Sequence, residues 1–131
     1  MSTYIDTSAL IAAFDADDPQ HEAAGRAWSS LVDTKELVVT SNYVVVETIS
    51  LLHRRFGVPT VNAFLADMLP VIDVEWISEA VHAVSVSALL ASARRGPSLV
   101  DCVSFEMMRR LGIRVAFAYD KHFAEAGFQT L

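Results

Sequence analysis

Hydrophobic and polar positions follow two different periods along the chain, and these periods predict strands and helices in alternation. Short apolar runs predict strands at residues 3–5, 37–40, 71–76 and 114–119, with a further edge strand at 128–131. Amphipathic spacing predicts helices at residues 8–14, 19–31, 42–56, 60–68, 79–95 and 99–111. Strands that alternate with helices form a parallel sheet covered on both faces, so we expect an α/β protein with a central parallel sheet of four to five strands flanked by helices.

The predicted helices begin and end at residues that are typical of caps. Asp18 and Pro19 are typical of an N-cap and a first helical position, so the second helix is predicted to begin there. Glycines end three of the predicted helices, each shortly after a pair of arginines: Arg54 and Arg55, Arg94 and Arg95, and Arg109 and Arg110. Because cations offset the negative end of a helix dipole, we assign these arginines to helix ends in preference to contacts with nucleic-acid phosphates.

The composition fits one domain that spans residues 1–131, since a chain of this length can bury a sizeable core without a disulfide or structural zinc. The single Cys102 has no partner for a disulfide. The sequence opens without a basic and apolar leader and contains no run long enough to span a membrane, which predicts a soluble, cytoplasmic protein.

The charge balance is acidic, with 16 Asp and Glu against 10 Lys and Arg. This balance argues against a protein that holds nucleic acid mainly through a basic surface. It is compatible with a metal-dependent phosphodiesterase, because such enzymes gather carboxylates in one pocket and bound cations reverse the sign of the field there. The position of the acids therefore matters more than their number.

Two acidic residues follow predicted strands directly. Asp6 ends the first strand and Asp120 ends the fourth. The carboxyl ends of parallel strands meet at one edge of a sheet, so both side chains are predicted to lie at that edge, where ligands bind in open α/β sheets. Asp is also a favoured helix N-cap, and an ordinary cap is the alternative interpretation of Asp6.

Two more acids lie on helix faces that are largely apolar. Glu47 lies in the middle of its helix, and an ionised carboxylate on a core-facing row is costly unless it is paired or bound to a metal. Asp101 lies in the first turn of its helix, where free N–H groups favour an anion. The alternatives are a salt bridge to an arginine for Glu47 and a plain first-turn acid for Asp101. Taken together with the two strand-end acids, they indicate a site for Mg²⁺, and two such ions about 4 Å apart can stabilise the attacking and leaving oxygens of a phosphodiester.

Four short segments resemble the ordered signature of PIN-domain ribonucleases, in particular VapC-like toxins of toxin–antitoxin pairs. These segments are residues 4–10 (YIDTSAL), 46–48 (VET), 98–101 (SLVD) and 119–123 (YDKHF). The resemblance covers the whole chain, and its specific parts are the opening strand and the Asp-Lys-His-Phe turn.

This resemblance implies a PIN-like three-layer sandwich and an endoribonuclease that depends on Mg²⁺ or Mn²⁺. It assigns Asp6, Glu47, Asp101 and Asp120 as the catalytic and metal-binding acids, and Ser8 as the hydroxyl residue that helps to orient them. It also implies an RNA substrate, a small VapB-like antitoxin that fills the acidic cleft, and a homodimer. A metal-activated water is the expected nucleophile, because Ser8 and Cys102 lack a convincing general base.

The sequence departs from the family pattern at one position and leaves other interpretations open. The family often has Ser or Thr two residues before the last acid, where this chain has Ala118. His122 is assigned to packing in its turn, and Trp76 to the core or an interface. The alternatives to a nuclease are a receiver-like signalling module with an acidic Mg²⁺ pocket and a non-catalytic binding module. A receiver would have paired acids after the first strand, whereas Asp6 stands alone there.

Overall fold

The computed structural model describes residues 1–131 and contains five strands that form one sheet. The strands are β1 (Ser2–Ile5), β2 (Leu37–Ser41), β3 (Ile72–Glu75), β4 (Val115–Phe117) and β5 (Gln129–Thr130). They are all parallel and lie in the order β3-β2-β1-β4-β5. The predicted parallel sheet, including the edge strand near the carboxyl terminus, is therefore confirmed.

Seven α-helices connect and cover the strands. They are α1 (Thr7–Phe14), α2 (His21–Asp33), α3 (Asn42–Phe56), α4 (Val58–Ala63), α5 (Glu79–Leu90), α6 (Leu99–Leu111) and α7 (Lys121–Glu125). A π-helical turn at Phe64–Met68 and a 3₁₀ turn at Leu69–Val71 continue α4 into β3. With the sheet as the middle layer, the architecture is the α/β three-layer sandwich that the sequence predicts.

Strand β1 lies at the centre of the sheet, and this position determines where the acids meet. Its residues pair with β2 on one side and with β4 on the other, for example Tyr4 with Val39 and with Ala116. Tyr4 is fully buried, and its hydroxyl donates to the Ser104 hydroxyl of α6 at 2.9 Å, which fixes that helix against the sheet. Burial raises the pKa of Tyr4 to about 12, so this donor stays protonated.

The start of α2 differs from the prediction. The helix begins at His21, and its N-cap is Gln20, which makes no side-chain cap. Asp18 instead holds a local turn, because its Oδ1 accepts from the Gln20 amide at 2.8 Å and its carbonyl accepts from the His21 amide at 3.0 Å. Asp side chains compete for nearby backbone donors in this way, so the prediction that Asp18 and Pro19 open the helix was wrong.

The end of α5 also differs from the prediction. The helix ends at Leu90, several residues before Arg94 and Arg95, so these two arginines do not lie at a helix end as predicted. Gly96 belongs to a tight turn, where its amide donates to the Ala93 carbonyl at 2.9 Å. A Cβ at position 96 would lie 3.1 Å from that same oxygen, which explains the glycine without a helix cap.

The structure decides one alternative near β3 and corrects a prediction at the carboxyl-terminal turn. Strand β3 ends at Glu75, so Trp76 leaves the sheet with 79% of its surface exposed, which excludes the core for this residue and leaves an interface as its predicted role. The segment after Asp120 forms the five-residue helix α7, which the sequence analysis treated as a turn. None of the helices combines the length and the apolar character needed to cross a bilayer.

Candidate metal and active site

Asp6 lies at the carboxyl end of β1, where it also caps α1. Its Oδ2 accepts from the Ser8 amide at 3.1 Å and from the Ser8 hydroxyl at 2.6 Å. Only 4% of Asp6 is exposed. The interpretations of Asp6 as a helix cap and as a strand-end carboxylate at the edge of the sheet are therefore both correct.

Ser8 connects the ends of two neighbouring strands. Its hydroxyl donates to Asp6 and accepts from the Tyr119 amide at 3.0 Å, just beyond the end of β4. The Asp6 amide in turn donates to the Phe117 carbonyl at 3.1 Å. Both hydrogen-bonding roles of the Ser8 hydroxyl are thus used to hold the Asp6 carboxylate at the junction of β1 and β4.

Asp101 belongs to a reciprocal capping box at the start of α6. Its Oδ2 accepts from the Ser98 amide at 3.1 Å, while the Ser98 hydroxyl accepts from the Asp101 amide at 3.1 Å. The residue is 5% exposed. The alternative interpretation of Asp101, as an ordinary acid in the first turn of a helix, is correct. The capping box also fixes the direction of its carboxylate.

Asp120 caps α7 and brings His122 next to the acids. Asp120 Oδ1 accepts from the His122 amide at 2.9 Å. The His122 Nδ1 atom lies 2.8 Å from Asp120 Oδ1 and 3.6 Å from Asp101 Oδ2. This nitrogen is fully buried but makes no hydrogen bond of acceptable geometry, so it is a polar atom without a partner beside two carboxylates.

Glu47 reaches the same region from the middle of α3. A pair of threonines fixes this helix against α1: the Thr48 hydroxyl donates to the Thr7 hydroxyl at 3.1 Å, and Thr7 donates to the Val44 carbonyl at 3.4 Å. Glu47 itself is half-buried, and no Arg, Lys or His side chain pairs with it. The salt bridge to an arginine, which was the alternative interpretation of Glu47, is not formed.

Burial and neighbouring negative charges raise the pKa values of three of the acids, Asp6, Glu47 and Asp101. Burial raises the pKa of Asp6 to about 6, although hydrogen bonds from Ser8 oppose the change, and the charge of Asp101 raises it further. The pKa of Glu47 also rises to about 6, through burial and then through the charges of Asp6, Asp101 and Asp120. Burial raises the pKa of Asp101 as well. The protein thus holds a concentration of negative charge that its own cations do not neutralise.

These side chains share one cavity of about 570 Å³. Its lining includes all five residues that the sequence analysis assigned to the site: Asp6, Ser8, Glu47, Asp101 and Asp120. It also includes Arg55 and His122, which the sequence analysis assigned to a helix end and to turn packing. A signal was present for His122, which lies two residues after Asp120, whereas the place of Arg55 depends on how α3 packs.

The donor set fits a hard divalent cation. Mg²⁺ and Mn²⁺ prefer carboxylate oxygens, and five carboxylates line the cavity against one arginine, Arg55. The carboxylates are Asp6, Asp18, Glu47, Asp101 and Asp120. Asp101, Asp120 and His122 each present one ligand atom, and these atoms lie within 4.8 Å of one another. The unpartnered Nδ1 of His122 is compatible with a place beside such an ion. On these observations the residues present suit the metal that the sequence analysis expects.

Comparison with known proteins places the chain in a family. The sequence pattern of the PIN domain matches residues 3–129. The 23S rRNA-specific endonuclease VapC20 of Mycobacterium tuberculosis is 37% identical over 126 residues, which are 95% of this chain and 94% of that protein. Ribonuclease VapC26 of the same organism is 42% identical over 64 residues, about half of each chain.

Solved structures agree with these matches. The crystal structure of M. tuberculosis VapC20, described as a sarcin-ricin loop cleaving toxin, superimposes with a TM-score of 0.84 at 36% identity and covers 96% of this chain and 95% of that one. FitAcB from Neisseria gonorrhoeae superimposes with a TM-score of 0.71 at 14% identity over 100% and 96% of the two chains, which shows a shared fold. The predicted resemblance to VapC-like PIN-domain ribonucleases is confirmed, and the chain belongs to the PIN-domain family.

Proposed function

We propose that this chain is a metal-dependent endoribonuclease that hydrolyses RNA phosphodiester bonds and acts as the toxin of a toxin–antitoxin pair. The observation that carries this proposal is the convergence of Asp6, Glu47, Asp101 and Asp120 in one cavity. These acids come from four separate elements, and a fold gains no stability from packing like charges together. Their assembly is explained by a function that needs several carboxylates at one point.

The four carboxylates would hold one or two Mg²⁺ or Mn²⁺ ions. When bound, such an ion stabilises negative charge on phosphoryl oxygens and lowers the pKa of water. The protein supplies the positioning, because Ser8 fixes Asp6 and the capping box with Ser98 fixes Asp101. No hydrogen bond within the protein contributes to the pKa of Glu47, so its oxygens are free to orient a water near the substrate.

Hydrolysis is proposed to proceed without a covalent enzyme intermediate. The Ser8 hydroxyl already donates its proton to Asp6 and accepts from the Tyr119 amide, so it is held as a structural link. Cys102 is buried, and burial raises the pKa of its thiol, which disfavours the reactive thiolate. Neither side chain is prepared to attack phosphorus, and water remains as the nucleophile.

Structured ribosomal RNA is the proposed substrate class. This proposal rests on the similarity to VapC20, which is described as specific for 23S rRNA and as cleaving the sarcin-ricin loop. A VapB-like antitoxin is the proposed protein partner. Cytoplasmic localisation, expected from the sequence, stays a prediction.

A homodimer is the proposed assembly, and exposed apolar side chains support it. Trp76, Val46 and Leu90 have 79%, 62% and 81% of their surfaces exposed. Large apolar side chains in water favour association with a partner surface. Light scattering on the isolated protein at micromolar concentration is expected to give the mass of a dimer, and a monomer mass would contradict this part of the proposal.

The catalytic proposal is tested by incubating the purified protein with bacterial ribosomal RNA and with a synthetic sarcin-ricin hairpin. We expect a small number of discrete cuts in Mg²⁺ or Mn²⁺, mapped by primer extension, and none in excess EDTA. A randomised hairpin of the same length serves as the control for selectivity. Intact RNA at stoichiometric protein, or cleavage that persists in EDTA, would refute the proposed function.

A further inference from the structure

Arg55, which the sequence pattern assigns to a helix end, lines the acidic cavity. Arg55 lies in the last turn of α3, the helix that also carries Glu47. It is the only Arg or Lys among the residues that line the cavity, and it is exposed to solvent. Helix α3 thus carries both Glu47 and Arg55, and both side chains line the same cavity.

Arg55 does not neutralise the acids that it accompanies. The close contacts between basic and acidic side chains are the Arg110–Glu106 ion pair and the approach of His122 Nδ1 to Asp101 and Asp120, and Arg55 takes part in none of them. A guanidinium placed to stabilise the empty site would be expected within 4 Å of a carboxylate, which is the distance of an ion pair. The charge of Arg55 is therefore available to a group from outside the protein.

RNA needs such a cation at this position. The chain carries a net charge of −6, and the cavity concentrates acids, so the approach of a phosphate backbone is unfavourable. Metal ions held by the carboxylates would offset the charge of the phosphate that is cut, but the neighbouring phosphates lie outside the carboxylate cluster. Arg binds phosphate oxygens through two parallel N–H donors and keeps its charge at every physiological pH.

We propose that Arg55 binds a backbone phosphate that neighbours the scissile bond and so positions the RNA strand across the cavity. This inference rests on the proposed function, since it names a contact to the same substrate at the same site. Arg55 acts here as a positioning residue, separate from the carboxylates that would hold the metal.

Arg54 provides a matched control. Both arginines lie in the last turn of α3 and both are exposed, so both offset the negative end of the helix in the same way. Only Arg55 lines the cavity. A role limited to the helix end therefore predicts equal effects for Arg54→Gln and Arg55→Gln, whereas a phosphate contact predicts an effect for Arg55→Gln alone.

The experiment measures RNA binding separately from cleavage. Fluorescence anisotropy of a fluorescein-labelled sarcin-ricin hairpin, with Ca²⁺ in place of Mg²⁺, gives Kd at several salt concentrations for the wild type and for three variants: Arg54→Gln, Arg55→Gln and Arg55→Lys. We expect Arg55→Gln to raise Kd about three- to tenfold at moderate salt and to reduce the slope of log Kd against log salt by about 0.7 to 1. Arg55→Lys should restore the slope, because it keeps the charge, while Arg54→Gln should match the wild type in both quantities.

Each result has a separate meaning for the two proposals. Equal Kd values and salt slopes for Arg54→Gln and Arg55→Gln would overturn the phosphate contact while leaving the nuclease proposal intact. A wild type that binds the hairpin but leaves it uncut in Mg²⁺ would refute the nuclease proposal, and the two glutamine variants would still decide the role of Arg55. A wild type that does not bind RNA at all would overturn both. Thermal unfolding of both glutamine variants checks that the substitutions leave the fold equally stable.

Discussion

The carboxyl edge of the sheet has two halves that start their helices in different ways. Strands β2 and β3 lead into α3 and α5, which are capped by Ser41 and Ser78. Their hydroxyls accept from the amides of Val44 and Val81, each at 3.2 Å. Strands β1 and β4 lie side by side and lead into α1 and α7, which are capped by Asp6 and Asp120. The same backbone requirement is met by neutral oxygens in one half and by charged oxygens in the other.

This difference shows that capping does not explain the acids. Ser, Asn and Asp are similarly good N-caps, so a helix start by itself needs no buried charge. Asp6 is 4% exposed and its pKa rises to about 6. Ionisation of this carboxyl group therefore lowers the free energy of unfolding. In the charged half, the cap fixes the direction of a carboxylate as well as the start of a helix. Interpretation as a cap and interpretation as a metal ligand are therefore compatible for the same residue.

The largest expected effect comes from removing single negative charges from the acidic cavity while the hydrogen bonds that hold those residues are kept. Asp6→Asn and Asp101→Asn retain an oxygen that can accept from Ser8 or Ser98, but each removes one negative charge from the cavity. We expect each variant to cut RNA at least about a hundredfold more slowly than the wild type. Initial rates on the sarcin-ricin hairpin, with circular dichroism to confirm folding, measure this effect. A folded variant that cuts at the wild-type rate would show that the acids are caps only.

Metal binding gives the second comparison between the two halves. Calorimetric titration with Mn²⁺ should show binding to the wild type and to Ser78→Ala. The double variant Asp6→Asn with Glu47→Gln should lose most of that heat, because two of the four carboxylates are gone. Equal Mn²⁺ affinity in the wild type and in the double variant would remove the basis for a metal site at these residues.

The third prediction concerns stability and pH in the metal-free protein. The pKa of Asp6 is raised to about 6, and so is that of Glu47, so the folded state binds protons more tightly than the unfolded state. Stability should therefore fall as the pH rises from about 4 to about 6 and then level off. At pH 7, Asp6→Asn should be more stable than the wild type by on the order of 2 kcal/mol, since Asn keeps the cap without the buried charge.

Urea unfolding at pH 5 and pH 7 in the presence of EDTA measures this difference. The wild type should lose more stability between the two pH values than Asp6→Asn, which retains only the contributions of Glu47 and Asp101. A wild type that becomes more stable from pH 5 to pH 7 would show that the carboxylates are compensated in the folded protein. Saturating Mg²⁺ should reduce the advantage of the variant.

The smallest effect is expected in the neutral half. Ser78→Ala removes the hydroxyl that accepts from the Val81 amide, which should lower the free energy of unfolding by about 1 kcal/mol. RNA cleavage should stay close to the wild-type rate, because Ser78 lies outside the acidic cavity. A large loss of cleavage in a stable Ser78→Ala protein would mean that cleavage depends on the cap of α5 as well as on the acids of the cavity.

Long periodic segments and strand-end acids could be predicted from the sequence. Helix α3 has the predicted bounds, because its apolar rows are regular and Gly57 follows its last residue. Asp6 and Asp120 could be placed at one edge because parallel strands align their carboxyl ends. Glu47 could be singled out because a charged residue breaks an otherwise apolar row.

Features that depend on tertiary contacts could not be predicted. Helix α5 ends at Leu90, although the sequence pattern predicts a helix that continues to residue 95. Most side chains after Leu90 are exposed, so burial contributes little to stabilising a longer helix. Helix α7 has five residues, too few for a period to be recognised. The place of Arg55 in the cavity depends on how α3 packs against α1, which the pattern of one helix does not reveal.

The hydrogen bond from the Tyr119 amide to the Ser8 hydroxyl joins residues that lie 111 positions apart. A ribosome translating this chain therefore makes Asp6 long before it makes the strand that completes its surroundings. Until β4 has left the exit tunnel and docked beside β1, the growing polypeptide lacks Asp120 and the Tyr119 amide that holds Ser8. Under the proposed function, an incomplete translation product lacks one of the four acids of the cavity and would have no complete site for cutting RNA.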